Sequence, residues 1–416
     1  MLKYLLYCLI TVIPAFAQDN VVSIDIIGLK KTKASFVRSF IDTREGTKLD
    51  SAQVKQDAQN LRNLQLFSDV DYRIIRQESG VRLQFHCKEI TSIIPISNFG
   101  SIESSFWFQL GAVDYNWLGR GNTLGGYYRY YDRNSFETYL KSPYLFGPKW
   151  GLSAYFNLLA TTEPAYFSSG TTYYNTDRWT AIILGRHSFS RKFVLQAGGG
   201  YLVEKYIKNT QRNEPSSPGP VRAEFKKYLA KIAFSINHIN YYYHYLSGFL
   251  SEFNVETIKT HGESKLFWKV ENILRYYNRV GSKGNAAIRL RTGIAENTET
   301  PFVPFVLDSY QTVRGAGNRV ARGTAEITLN FEYRHTFLEQ NWGAVQGVGF
   351  SDLSAWRKGG ESLSSLFKKS STVSFVGFGA RLYIKRFNHL ILRADFGISV
   401  TESNQNGVVI GLGQYF

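Results

Sequence analysis

The side chains that usually carry out chemistry are present in this chain, but not in chemical order. The seven histidines (His86, His187, His238, His244, His261, His335 and His389) show no His-Glu-x-x-His or comparable spacing that would hold a metal. No Gly-x-Ser-x-Gly elbow offers a nucleophile for acyl transfer. The expectation is therefore a protein that is not an enzyme and uses no cofactor or metal. What remains is the chemistry of strand edges, whose N–H and C=O groups accept an added strand. Pro95 lies near the start of the segment Ile93 to Gly100, and a residue with no N–H to give to a ladder belongs at an edge. Gly407, Gly411 and Gly413 share one face of the segment Gly407 to Phe416, which leaves little side-chain packing there.

The elements that must position these edges follow from composition. The chain has 416 residues, 44% apolar and 15% aromatic, with 36 Gly and one Met. So many aromatic residues exclude disorder and favour pleated strands over helices. The length admits two or three ordinary domains, or a small domain and one large barrel. Lys and Arg total 49 against 33 Asp and Glu, a net charge of +16. The cations are dispersed among Tyr and Phe rather than clustered, and an exported chain meets no nucleic acid, so that partner is set aside.

Export is expected from residues 1–17: Lys3, an apolar stretch from Leu5 to Phe16, and the small-x-small pattern Ala15-Phe16-Ala17 read as a signal peptide, with the mature chain starting at Gln18. The stretch is too short to span a bilayer, for which roughly 20 residues are needed. Cys8 leaves with it and lacks the preceding small residue that lipidation requires. Cys87 then stands alone, so no internal disulfide is expected. No later apolar run reaches 18 residues, and a membrane protein without such a helix must be a closed barrel.

Residues 21–90 differ from the rest of the chain. Val22, Ile24 and Ile26 alternate as a strand closed by Gly28; Phe36, Val37, Phe40 and Ile41 recur at helical spacing. A second helix opens at Asp50, with Gln53 in capping-box position, and is lined by Val54, Ala58, Leu61 and Leu64. Val70, Tyr72, Ile74 and then Val81, Leu83, Phe85 form two more strands around Glu78-Ser79-Gly80. This βααββ order, with the Gly28 turn and Leu64-x-Leu66-Phe67-x-Asp69-Val70, resembles a POTRA domain. The resemblance implies a periplasmic module that pairs with client strands along its sheet edge; a rigid spacer under a barrel is the alternative.

From residue 91 a period of two takes over. Ala325, Ile327, Leu329, Phe331 and Tyr333 fall on one face, opposite Glu326, Thr328, Asn330, Glu332 and Arg334. Phe106, Phe108, Leu110 and Ala112 repeat the pattern, as do Val376, Phe378, Ala380, Leu382 and Ile384, with lipid expected on the apolar side. Sixteen strands are expected over residues 91–416. Among them are 149–161, 192–203, 226–240 and a last strand 406–416. Long connections (204–225, 296–320, 353–369) fall on one side and short ones on the other. Tyr241-Tyr242-Tyr243-His244-Tyr245 reads as interface girdle aromatics.

Asp114-Tyr115-Asn116-Trp117-Leu118-Gly119-Arg120-Gly121-Asn122, with Ser142-Pro143-Tyr144-Leu145 after the next hairpin, is similar to the early strands and turns of the BamA/TamA superfamily. Val313-Arg314-Gly315 lies where that superfamily carries its signature loop, and Gly323, Glu332-Tyr333-Arg334 and Phe350-x-Asp352 fall where its downstream motifs sit. The resemblance covers the leader, one POTRA and the entire barrel. It implies a loop folded into the lumen with Arg314 held by Glu332 and Asp352, whose carboxylates suit a forked guanidinium. It also implies a weak seam between the first strand (Pro95, Ile96, Phe99) and the last (Gly407, Gly411, Gly413, Phe416); glycines accommodating the loop in a closed seam are the alternative. The family usually has an aromatic residue after Arg-Gly, where this chain has Ala316, followed by Gly317-Asn318-Arg319. The implied function is insertion, assembly or translocation of proteins at the bacterial outer membrane, with the POTRA in the periplasm. Implied partners are outer-membrane lipid, client outer-membrane or secreted proteins, and periplasmic or lipoprotein accessory subunits. A dedicated secretion pore for a single partner protein and a passive diffusion porin are the other readings.

Overall fold

The computed structural model describes residues 20–416 except 103–104, 132, 168, 298–303, 310, 318–320, 388–389 and 402–404, and the side chains of 100–107, 164 and 166 are left aside. The expected leader (1–17, with Cys8), His389 and Asn318-Arg319 lie outside the described residues.

The small domain runs β1 (Val21–Ile27), α1 (Ala34–Arg38), α2 (Ser51–Arg62), β2 (Phe67–Gln77) and β3 (Gly80–Glu89). Its sheet order is β1-β3-β2, with β1 parallel to β3 and β2 antiparallel to it. The α2 start is fixed by Asp50, whose carboxylate accepts the N–H groups of Ala52 (2.8 Å) and Gln53 (3.2 Å). Gln53 does not reach back to Asp50; its amide turns to Asp57 (3.0 Å), so the cap is one-sided rather than a box. Asp57 is buried and ties down the chain between the helices, accepting Asp42 N–H (2.9 Å), Thr43 N–H (3.0 Å) and the Thr43 hydroxyl (2.6 Å). Val37, Ile41, Val54, Leu61, Val70, Leu83 and Phe85 form the core against which both helices lie. Each such side chain contributes about 1.5–3 kcal/mol by leaving water. Gly28 adopts φ +92°, and a Cβ there would stand 2.4 Å from the Cys87 carbonyl oxygen.

The remaining strands are β4 (Ile93–Ile102), β5 (Ser105–Trp117), β6 (Asn122–Tyr131), β7 (Arg133–Ser142), β8 (Trp150–Phe167), β9 (Gly170–Ser188), β10 (Phe193–Lys208) and β11 (Arg222–Asn237). They continue as β12 (Asn240–Tyr242), β13 (Tyr245–Thr260), β14 (Leu266–Val280), β15 (Gly284–Ala295), β16 (Phe305–Leu307), β17 (Ala321–Gly323), β18 (Ala325–Glu339), β19 (Gly343–Arg357), β20 (Thr372–Ile384), β21 (Ile391–Ser399) and β22 (Asn406–Leu412). The three-residue strands β12, β16 and β17 are accessory. The others close a sixteen-stranded antiparallel barrel in which β11 pairs directly with β13 and β22 returns to β4.

Side chains follow the expected parity. On β18, Ile327, Leu329 and Phe331 are exposed toward the lipid side, while Thr328, Asn330, Glu332 and Arg334 are buried inside. Several strands outrun their sequence patterns. The ladder of β8, β9 and β10 continues to Phe167 and Lys208 because Ala165, Tyr174 and Tyr206 pack into a cluster beyond the apolar band. The last strand is shorter than expected: it stops at Leu412, and Gly413 takes φ +88°.

Candidate functional site

Short turns put Asn116 to Gly121 at the end of the barrel nearest the small domain, where they form the joint to it. Leu118 and Gly119 both take left-handed backbone angles (φ +62° and +71°). Gly119 accepts Lys33 N–H (2.9 Å), and a Cβ on it would stand 2.2 Å from the Lys31 carbonyl oxygen. Asn116 is buried; its amide donates to the Thr32 hydroxyl (2.8 Å) and its oxygen accepts Gly121 N–H (2.9 Å). Gly121 leaves room for the Phe36 ring, while Trp117 pairs with Asn122 to close the turn. Lys31 pairs with Asp114 at 2.6 Å. Tyr144 of the next turn meets Phe36 and Phe40 at 5.5 and 5.2 Å between ring centres, and Arg191 grips Asp42 through two bonds of 2.6 and 2.7 Å. The Tyr241 to Tyr245 cluster is corrected from a lipid girdle. Tyr245 and His244 are buried, and Asn63 of the small domain accepts Tyr241 N–H (3.3 Å), because this turn folds under the barrel instead of along its wall.

At the other end, the connection between β15 and β18 folds into the lumen. Thr312 and Val313 N–H both go to the Asp308 carbonyl, and Ser309 and Gly317 exchange two bonds of 2.6 Å, closing a compact tip. Gly315, at φ +93°, lies so close to the wall that a Cβ would meet Phe375 at 2.9 Å and the Gly397 carbonyl oxygen at 3.0 Å. Val313 and Ala316 pack with Leu307, Val373 and Phe375, so the small Ala316 fits an apolar foot.

Arg314 is completely buried. Its Nε and Nη2 donate to the two oxygens of Asp352, both at 2.9 Å, its Nη1 donates to Glu332, and its own N–H reaches Asp352 at 3.0 Å. Asp352 pairs across the ladder with Asn330 and faces the lumen, which settles its parity. Around this core stand residues the sequence reading did not gather. Glu332 also accepts Arg334 Nε (2.6 Å) and Arg381 Nη2 (3.4 Å), and Arg381 holds Asp395 at 2.8 Å. Asn330 donates to both Asp352 and the Thr312 carbonyl, each at 2.8 Å. Parity alone would have found Arg381, which sits among the inward glycines of β20.

Phe416 is not on the seam. From Gly413 the chain turns into the lumen: Arg381 Nε donates to Gln414 (3.2 Å), the Tyr415 hydroxyl to the Ser309 carbonyl (3.1 Å), and Arg334 Nη2 to the Phe416 carbonyl oxygen (3.1 Å). The Arg314 guanidinium lies between two rings, 3.6 Å from the Phe350 centre and 4.4 Å from that of Tyr415. Those rings supply the aromatic contact absent at Ala316.

The seam is thin. Ile410 opposite Phe99 is the one register pair between β22 and β4 among the described residues, whereas β21 and β22 share seven and β4 and β5 share ten. Pro95 and Ile96 lie toward the small domain from that pair, alongside the point where β22 has already turned inward. The three seam glycines do different things. A Cβ on Gly407 would meet the Gly315 backbone at 3.0 Å, so it makes room for the loop; one on Gly411 would strike Asn98 Oδ1 at 2.4 Å; Gly413 makes the turn.

The Omp85 superfamily domain matches residues 116–416, and the surface antigen variable number repeat, a POTRA unit, matches residues 20–89. No curated protein matches the chain. Among solved structures, the chain is similar to BamA from Haemophilus ducreyi lacking POTRA domains 1–3 (14% identity, TM-score 0.56, covering 94% of this chain and 83% of that one). It is similar also to CdiB from Acinetobacter baumannii (13%, 0.60, 96% and 74%) and CdiB from Escherichia coli (11%, 0.60, 95% and 76%). At such identities these likenesses carry the fold. With the superfamily domain matching residues 116–416, which hold the lumenal loop and the barrel strands from β6 to β22, this chain belongs to the Omp85 superfamily of outer-membrane β-barrel proteins.

Proposed function

We propose that this protein inserts, assembles or translocates other proteins at the outer membrane by lending them strand edges, without nucleotide hydrolysis. The observation that carries the reading is the β4–β22 seam, held among the described residues by one register pair where neighbouring ladders have seven or more. A second edge lies in the periplasmic domain. On the outer side of β1, Gly46 N–H binds the Val21 carbonyl (2.7 Å) and Glu45 accepts Ile24 N–H (3.1 Å), so that edge is covered. The sheet order leaves β2 as an edge strand along Phe67–Gln77, a template for an extended client segment. A client would pair first with β2 and then with the seam strands.

In this reading Arg314 is a latch. It clamps the loop tip to β18 and β19, and the loop in turn rests on Gly397 and Gly407 of the two last strands. The occupied lumen counts against a diffusion porin. One POTRA unit is compatible with a secretion pore dedicated to a single partner protein, and periplasmic or lipoprotein subunits would dock on the exposed POTRA surface. Depletion of the protein followed by outer-membrane proteomics tests the reading. Broad loss of barrel proteins is expected for general assembly, and loss of one exported protein identifies the dedicated pore. An unchanged outer-membrane and secreted proteome would overturn both.

A further inference from the structure

The wall diametrically opposite the seam breaks the apolar rule of the lipid-facing surface. β10, β11 and β13 are the seventh, eighth and ninth of the sixteen barrel strands. Register puts Tyr201 opposite Tyr228, and Tyr228 opposite Lys259, all on the outward face together with exposed Ile232. Moving away from the POTRA end, the outward face of each strand turns cationic toward the far end of the barrel. Val203 gives way to Lys205 on β10, Tyr228 to Lys226 and, past Glu224, to Arg222 on β11, and Val255 and Thr257 to Lys259 on β13.

That end is where a headgroup layer belongs. A transmembrane strand needs about 9–11 residues to cross the hydrocarbon, and Lys205 is the thirteenth of a strand that starts at the periplasmic end. Just below it, the Tyr201 and Tyr228 rings stand 5.4 Å apart, as interface aromatics do. The cations are available: Lys205 and Arg222 keep 41% and 66% of their side chains exposed, and both approach one carboxylate, Glu224, only at 3.8 and 3.9 Å. Lys226 and Lys259 are exposed and have no acidic partner within ion-pair distance among the described residues. On the seam side, the described residues of β18 to β21 carry no exposed Lys or Arg.

Strands about 4.8 Å apart, with same-face residues roughly 6.6 Å apart along each, place the four cations along a stripe on the order of 20 Å long, from Lys259 opposite Tyr228 to Arg222 three same-face steps farther along β11. We propose that this stripe binds the clustered phosphates of an outer-leaflet glycolipid, its sugar-phosphate headgroup held by Lys205, Arg222, Lys226 and Lys259 and its acyl chains running down past Tyr201, Tyr228 and Ile232. A lipid held here fixes the rigid, long-stranded wall and leaves the bilayer at the seam unoccupied. Charge-assisted contacts from several directions favour a headgroup with two phosphates over one with a single phosphodiester.

The test is lipid binding to the full-length protein in detergent, followed by native mass spectrometry. The probes are a bis-phosphorylated glycolipid of the outer leaflet, the same glycolipid with both phosphates removed, and phosphatidylglycerol. The bis-phosphorylated form should bind at least tenfold tighter than either other lipid, and the Lys205→Gln/Arg222→Gln/Lys226→Gln/Lys259→Gln variant should lose that preference. A Lys30→Gln/Lys48→Gln/Lys55→Gln variant on the POTRA surface should keep it. If the fourfold variant does not fold, Lys226→Gln/Lys259→Gln should still weaken binding severalfold. Equal binding of the phosphate-free glycolipid, equal binding of phosphatidylglycerol, or full binding by the folded variants would each overturn the assignment.

Discussion

Arg314 concentrates the energetics of the lumen in one side chain. A buried guanidinium shared by two buried carboxylates is sustained only while every partner is in place, and removing one partner of such a set costs about 3–5 kcal/mol. Arg314→Ala should therefore lower the temperature at which the folded barrel loses its compact mobility in semi-native gels. Arg314→Lys should recover only part of the loss, since an ammonium cannot reproduce the fork across Asp352. An unchanged transition in Arg314→Ala would mean the loop is not held by this residue. Asp352 should suffer more than Glu332, which keeps Arg334 and Arg381. In the POTRA domain, burial pushes the Cys87 thiol up to about 12. It should resist alkylation at pH 8 in the native protein and react only once denaturant opens the POTRA core, as mass spectrometry would register. Arg314 and Glu332 were legible from motif and parity. Tyr415 and Gly397 were not: their contact with the loop depends on a turn at Gly413 and on a backbone approach that leaves no local pattern.

At the scale of elements, the alternation of β18 was readable because one face meets lipid and the other meets charge. The extent of β22 was not, because a Gly-rich strand end reads the same whether it stays in the wall or folds inward. The Asn116 to Gly121 turn was readable as a turn, but its partner was not, since Thr32, Lys33 and Phe36 are over eighty residues away. That joint makes a prediction. Gly119→Ala adds a Cβ where the Lys31 carbonyl oxygen stands and strains a left-handed backbone angle. It should loosen the POTRA by about 1–3 kcal/mol, which limited proteolysis between residues 28 and 35 would reveal as faster cleavage with the barrel intact.

For the whole molecule, the described parts of the loop and the tail fold into the lumen, and the POTRA docks against the turns at one end of the barrel. Side cavities line the lumen, among them one of about 530 Å³ beside Glu137, Arg178 and Lys231, one of about 510 Å³ beside Tyr127, Arg129 and Phe305, and one of about 460 Å³ beside Arg178, Glu204 and Lys227. In planar bilayers the protein should give small, unsteady conductance, and deleting residues 305–323 should convert it to a large steady pore. A large steady pore in the intact protein would favour the porin. The central claim is that the β4–β22 seam opens during work. A Phe99→Cys/Ile410→Cys pair, at the register contact across it, tests this directly in depletion complementation. Oxidised protein should fail to support its clients and reduced protein should recover; full function with the disulfide formed would contradict the account.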